Sequence, residues 1–140
     1  MMDKEIKRQI MMDHYQNPNN KQTITDDRYR SVHNASDSCI DDITVYMLIE
    51  DDVIKDVKFD GVGCTICTAS TDIMCDLLRG KNIDDAKYTI EQYHHMIHEE
   101  PFDDEVLDEA IAFINTSKQA ARIRCATIGW NAADEILKDK

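Results

Sequence analysis

The sequence predicts an α+β fold in which a small antiparallel sheet is covered by helices. Apolar residues occupy alternate positions on both sides of an acidic turn near residue 51, which is typical of a β-hairpin. After residue 64 the apolar spacing changes to three and four, which is typical of amphipathic helices. Strands therefore come first and helices later, the order expected of an α+β protein.

Length and composition favour one domain that spans residues 1–140. The chain has 42% hydrophobic and 31% charged residues, as in ordinary globular proteins, and we see no linker or internal repeat. The net charge of −12 argues against binding to nucleic acid or to an anionic membrane. No apolar run reaches the roughly 18 residues of a membrane span, and no signal-peptide segment is seen. We therefore expect a cytoplasmic protein whose five cysteines are reduced thiols.

The first element is a helix over about fifteen residues. The turn-favouring sequence NPNN at residues 17–20 ends it, because proline and asparagine disfavour helix continuation. A loop or a short edge strand follows at about residues 28–33.

The hairpin comes next, and its apolar faces suggest a register. Matching those faces pairs Ile43 with Phe59 and Val45 with Val57 across a three-residue loop at 50–52. Strand residues two apart point to the same side, so the alternation also predicts which side chains share a face of the hairpin.

This register has a consequence for two cysteines. It places Cys64 opposite Ser38, one step from Cys39, at the open end of the hairpin. Gly61 and Gly63 could supply a bulge that closes the remaining offset. We therefore expect Cys39 and Cys64 to lie close together.

Four helices account for the rest of the chain. Thr68 or Ser70 can cap the first, which Gly80 ends. The second spans about 83–98 and the third about 104–114. The last runs on from near Cys125, with Trp130 in phase with its apolar stripe.

Potential metal ligands lie together at the open end of the hairpin, which we call the hairpin mouth. Cys39 and Asp41 project to the same side of their strand, and Cys64 lies beside them. Cys125 heads a distant helix, whose position periodicity does not give. If that helix end closes on the hairpin, three sulfurs and one carboxylate form a tetrahedral set that zinc accepts.

Four stretches of the chain resemble the U-type iron–sulfur cluster assembly family: MMDHYQNPNN, SCIDD, KFDGVGCTICTAS and AARIRCATIGWNA. The resemblance covers nearly the whole chain. It implies a three-stranded antiparallel sheet packed by helices, with the metal at one end. The family's metal- or cluster-binding residues match Cys39, Asp41, Cys64 and Cys125.

Arg124 separates two branches of this family. The IscU-type scaffolds have a histidine just before the last cysteine and a shorter segment ahead of it, whereas here 60 residues, including HEEPFDDEVLDE, separate Cys64 from Cys125. Both features look like the SufU branch, which binds zinc. Arginine cannot ligate a metal but can stabilise a neighbouring thiolate or persulfide. Two positions depart from the family: Ile40 replaces a glycine and Cys67 replaces a serine.

The SufU-type resemblance implies a zinc-dependent sulfurtransferase. Cys39 would accept persulfide sulfur from a SufS-type cysteine desulfurase, Arg124 would assist, and the sulfur would pass to the iron–sulfur assembly machinery. The alternative is a non-enzymatic scaffold that assembles a [2Fe-2S] cluster on the same four residues. A zinc-stabilised binding module is a third possibility.

Other motifs have simpler interpretations. Cys64 and Cys67 form a CxxC, a possible redox pair, although no βαβ pattern surrounds it. Cys75 is expected to pack in the core. His94 and His98 could form a two-ligand metal face, but a solvated helix face is favoured. We expect His14 to have a packing role and the acidic segment 99–109 to be solvated.

Overall fold

Three antiparallel strands form one sheet in the order β1-β2-β3. The computed structural model describes residues 2–36 and 40–138. The strands are β1 (Arg30–Ala35), β2 (Asp42–Glu50) and β3 (Val53–Val62). The helices are α1 (Lys4–Gln16), α2 (Thr65–Leu78), α3 (Ile83–Ile97) and α4 (Ala120–Lys138), with 3-10 segments at Asp104–Val106 and Asp108–Lys118. The predicted α+β class, with a small antiparallel sheet and about five helical elements, is confirmed.

The hairpin register differs from the predicted one by two residues. Ile43 pairs with Gly61 and Val45 pairs with Phe59, so the predicted pairings of Ile43 with Phe59 and Val45 with Val57 are wrong. A shift of two leaves Val45, Val57 and Phe59 on their predicted face, because the side-chain period of a strand is two. Beside the turn the alternation is broken, and Ile54 is buried instead of Val53.

The turn and the register shift beside it each account for one residue of this difference. Glu50 pairs with Val53, so the loop has two residues, and both Asp51 (φ 54°) and Asp52 (φ 61°) adopt the left-handed conformation that aspartate tolerates. The register shift falls between Leu48 and Ile49, beside the turn, and not at the glycines as predicted.

Gly61 has a different role, at the other end of the hairpin. Its φ is +124°, and a Cβ there would lie 2.0 Å from the carbonyl oxygen of Asp42. Only glycine can occupy this position, so the start of β2 and the end of β3 come close together.

Helix α2 begins earlier than predicted. Its N-cap is Cys64, so the predicted caps Thr68 and Ser70 are wrong; both are buried inside the helix. The helix ends before Gly80, which has a φ of +89°, as expected for a glycine that follows a helix.

The predicted third helix, at about 104–114, is wrong in type. It consists of two 3-10 segments, interrupted near Asp108, whose φ is +44°. Buried residues recur every third position, which matches the three residues per turn of a 3-10 helix. These residues are Leu107, Ala110, Phe113 and Thr116, and Ile111 and Ala112 are buried between them.

The core lies between the inner face of the sheet and the helices. Residues of β2 and β3 that face inward are fully buried, as the alternation predicted: Ile43, Val45, Met47, Val57 and Phe59. Helix α2 packs against β3, and α4 packs against α2, β1 and β2. The N-terminal end of α2 and the first turns of α4 thus meet the open end of the hairpin.

Candidate metal centre

Asp41, Cys64 and Cys125 come together at the open end of the hairpin. One carboxylate oxygen and the two Sγ atoms all lie within 4.8 Å of one another. These residues come from three places: the residue before β2, the N-cap of α2, and the second turn of α4. The structure therefore closes α4 on the hairpin mouth, the condition that the sequence left open.

Backbone contacts hold Asp41 in place. Its side chain is 1% exposed, and its Oδ1 accepts the Cys64 N–H at 2.8 Å. Its carbonyl accepts the Ser36 N–H at 2.9 Å. The two bonds tie the segment before β2 to the residues that follow β1 and β3, so the carboxylate has a defined position.

Cys64 caps α2 with its sulfur. The Sγ accepts the Cys67 N–H at 3.4 Å and lies 3.8 Å from Asp41 Oδ2. A helix N-terminus carries a partial positive charge, so the Cys64 sulfur lies at the positive end of α2.

Cys125 is more enclosed than Cys64. It is 3% exposed, and its thiol pKa is raised, first by burial and then by the hydrogen bonds and negative charges of Asp41 and Cys64. All three side chains become negative on ionisation, so the ionisation of one makes the ionisation of the others less favourable. A divalent cation would compensate this repulsion, because it stabilises the ionised ligands. Two thiolates and a carboxylate are a donor set that fits zinc.

Two further predicted residues have different outcomes. Cys39 lies outside the described residues. Arg124 is exposed and lines a surface cavity of about 610 Å³ together with Asn34, Ile128 and Asp134. It directly precedes Cys125, so its backbone belongs to the same turn as that thiol.

The remaining thiols are buried. Cys67 and Cys75 are both fully enclosed, and burial raises the pKa of each. The environment of Cys75 agrees with the predicted packing role. The Cys64–Cys67 redox interpretation is disfavoured, because the sheet is antiparallel, whereas a CxxC redox pair is expected beside a parallel βαβ unit.

The histidines of α3 do not join the ligand cluster. The His94 and His98 rings stack with centroids 6.3 Å apart, and burial lowers the pKa of His94. Neither residue belongs to a group of three potential ligands within residues 2–36 and 40–138.

Sequence reasoning missed a second polar cluster around His14. His14 Nδ1 lies 2.5 Å from Asp72 Oδ2, and His14 Nε2 lies 3.0 Å from Glu109 Oε1. Asp72 is fully buried in α2. An aspartate within an apolar helix was the signal, because a buried carboxylate requires a partner.

Comparison with known proteins places the chain in a family. The family described as "NifU-like N terminal domain" matches residues 6–135, nearly the whole chain. The protein therefore belongs to the NifU-like N-terminal domain family of iron–sulfur cluster assembly proteins, as the resemblance indicated.

Individual relatives are similar over most of their length. The chain is 36% identical over 129 residues to the zinc-dependent sulfurtransferase SufU of Bacillus subtilis, covering 91% of this chain and 86% of that protein. It is 32% identical over 131 residues to the iron–sulfur cluster assembly scaffold protein IscU of Streptococcus pyogenes, covering 92% and 80%. A putative iron–sulfur cluster assembly scaffold protein for the SUF system, from Fervidobacterium islandicum, superposes with a TM-score of 0.81 at 29% identity, covering 92% and 94%.

No helix within the described part of the chain combines the length and the apolar character that crossing a membrane requires.

Proposed function

We propose that this protein is a zinc-dependent sulfurtransferase that accepts persulfide sulfur from a cysteine desulfurase. The convergence of Asp41, Cys64 and Cys125 within 4.8 Å is the observation that carries the proposal. The name of the Bacillus subtilis relative, which includes both zinc and sulfurtransferase, supports it.

Zinc would be held by Cys39, Asp41, Cys64 and Cys125. When bound, it would stabilise the thiolate forms of its cysteine ligands and protect them from oxidation. The buried Asp41 and the helix-capping Cys64 have fixed backbones, which suits ligands that stay in place.

Cys39 would carry the sulfur. Its thiolate would attack the outer sulfur of the desulfurase persulfide, forming a new S–S bond. The bond between the outer and inner sulfurs breaks, and the desulfurase cysteine leaves as a thiolate. Arg124 would stabilise the negative sulfur species, since a guanidinium is a cation and the Arg124 side chain is exposed.

The test maps the sulfur. We expect incubation with a cysteine desulfurase and cysteine, followed by mass mapping under non-reducing conditions, to find one added sulfur on Cys39. Cys39→Ser should stay folded and lose transfer, because serine keeps the size and three ligands remain. Cys125→Ser is the contrasting variant, which should lose zinc and stability together. An added sulfur on Cys67 or Cys125, with transfer retained by Cys39→Ser, would show that the mechanism is wrong.

A cluster scaffold is the second candidate, because the Streptococcus pyogenes relative is named as one. The same donor set would then hold a [2Fe-2S] cluster. Anaerobic purification separates the two functions: a colourless protein with about one zinc per chain supports the sulfurtransferase, whereas a brown protein with iron and sulfide supports the scaffold.

A further inference from the structure

A buried hydrogen-bonded group lies directly behind Cys125. The Ser70 and Tyr93 hydroxyls each donate to the Ala126 carbonyl at 2.7 Å. The indole N–H of Trp130 donates to Ser70 Oγ at 2.9 Å. The Tyr93 and Trp130 rings stack with centroids 3.8 Å apart and planes 3° from parallel. We call Ser70, Tyr93 and Trp130 the Ala126 clamp.

The clamp connects the two helices that carry sulfur ligands. Ser70 lies on α2, which begins at Cys64, and Ala126 lies on α4, directly after Cys125. Tyr93 comes from α3, so three helices converge on one carbonyl oxygen. The clamp therefore limits how far α4 can slide or rotate relative to the N-terminus of α2.

Apolar packing alone would not fix the position of α4 relative to α2 this precisely. Hydrophobic contacts are non-directional, whereas a hydroxyl 2.7 Å from a carbonyl oxygen tolerates little displacement. The clamp side chains are at most 2% exposed, so a shifted helix would leave buried donors without acceptors, which is costly. Burial thus makes the position of Ala126, and with it that of Cys125, strongly preferred.

We propose that Ser70, Tyr93 and Trp130 are positioning residues that set the distance between Cys125 Sγ and Cys64 Sγ, and thereby raise the affinity for metal. The inference rests on the proposed zinc site. Groups that orient metal ligands typically change metal affinity by about 10- to 100-fold when they are removed.

Tyr93→Phe tests this proposal, because it keeps the ring and its stack on Trp130 and removes only the hydroxyl. We expect the zinc Kd to rise about tenfold, measured by competition with a chromophoric chelator. The thiolate-to-metal absorption bands of the cobalt-substituted protein should shift as well. Tyr88→Phe is the matched control on the same helix: Tyr88 is exposed, its hydroxyl donates to Asp103 at 3.0 Å, and neither readout should change.

A second control separates positioning from general stability. Ile90 is buried in α3 and belongs to no part of the clamp, so Ile90→Val should lower the Tm of the zinc-free and zinc-loaded proteins equally. Tyr93→Phe should instead reduce the Tm increase that zinc produces, because this increase depends on Kd.

Unchanged readouts would overturn the inference. If Tyr93→Phe folds, keeps a zinc Kd within twofold of the wild type and has the wild-type cobalt spectrum, the clamp contributes only to the packing of the core. If Tyr93→Phe does not fold, the zinc Kd and the cobalt spectrum of Ser70→Ala test the inference instead. A wild-type protein that binds no zinc would overturn the proposed function as well, so the two failures are distinguishable.

Discussion

The cluster at the hairpin mouth and the cluster around His14 each bring three potential metal ligands together, but the charges of these ligands differ. Asp41, Cys64 and Cys125 all become negative on ionisation. In the His14 cluster, Asp72 Oδ2 faces His14, while Asp72 Oδ1 accepts two bonds from Asn20, at 2.9 Å from its backbone N–H and 3.0 Å from Nδ2.

Asp76, the third potential ligand of the His14 cluster, also accepts hydrogen bonds from the protein. Its Oδ1 accepts from Asn20 Nδ2 at 2.9 Å and from Arg79 Nη1 at 3.3 Å. Arg79 continues the network to the sheet, donating to the Val57 carbonyl at 2.9 Å. His14, Asp72 and Asp76 are close enough to hold an ion, yet donors of the chain already occupy their oxygens. A cation at the His14 cluster would therefore have to displace donors that the protein itself supplies.

Zinc removal should give the largest change in stability. Bound zinc at about a thousand times its Kd contributes roughly 4 kcal/mol, or about 10 °C or more in Tm for a domain of this size. We expect verified chelation to lower the Tm of the wild type by this amount. Asp76→Asn should respond to chelation like the wild type, whereas Cys125→Ser should not respond. If Asp76→Asn did not respond to chelation, the zinc would have to be assigned to the His14 cluster instead.

Asp72→Asn should have the next largest effect. It removes the buried carboxylate from His14 and so costs about 3 kcal/mol in the free energy of unfolding, as for other broken buried ion pairs. Urea denaturation of the zinc-loaded protein measures the loss. The zinc content should stay at the wild-type value, and a metal-depleted but otherwise stable variant would contradict our assignment.

The His14 cluster should also make stability depend on pH. Burial acts to lower the His14 pKa, but the hydrogen bonds and charges of Asp72 and Glu109 outweigh it, and the pKa is raised above 6.5. The contribution of His14 is therefore complete below pH 6.5 and is lost as the pH rises through the folded-state pKa. The stability difference between the wild type and His14→Gln should therefore shrink as the pH is raised above 6.5. A difference that grows with pH would mean that His14 is neutral in the folded protein.

Arg124→Ala should change stability least, by less than about 0.5 kcal/mol, because its side chain is exposed. Zinc content should also be kept, yet stimulation of the desulfurase should be lost. Arg122→Ala, an exposed change two residues away in the same helix, should keep both properties. Zinc loss with retained stimulation would assign Arg124 a structural role instead.

The sequence was sufficient for the faces of the hairpin but not for its register. A period of two assigns Val45 and Phe59 to the core in either register, so matching faces could not distinguish pairings that differ by two. Two features decided the register. The left-handed conformation of Asp51 and Asp52 shortens the loop to two residues, and the register shift between Leu48 and Ile49 adds the second residue of the difference.

The candidate site was partly predictable for a similar reason. Asp41 and Cys64 are neighbours through the hairpin, so local pairing brings them together. Cys125 approaches only through the packing of α4 on α2, and helical periodicity says which face is buried, not what lies against it. The family resemblance supplied that last residue.

The order in which the donors meet also affects how the site forms during folding. Asp41 and Cys64 are 23 residues apart and joined by a hairpin, whereas Cys125 lies 61 positions beyond Cys64. Closing the longer loop costs roughly 0.9 kcal/mol more in chain entropy. Local contacts tend to form early, so we expect the pair of donors on the hairpin to assemble first and α4 to dock last. The nascent chain would then offer zinc an incomplete but correctly oriented set of donors, and metal captured there would favour the docking of the final helix.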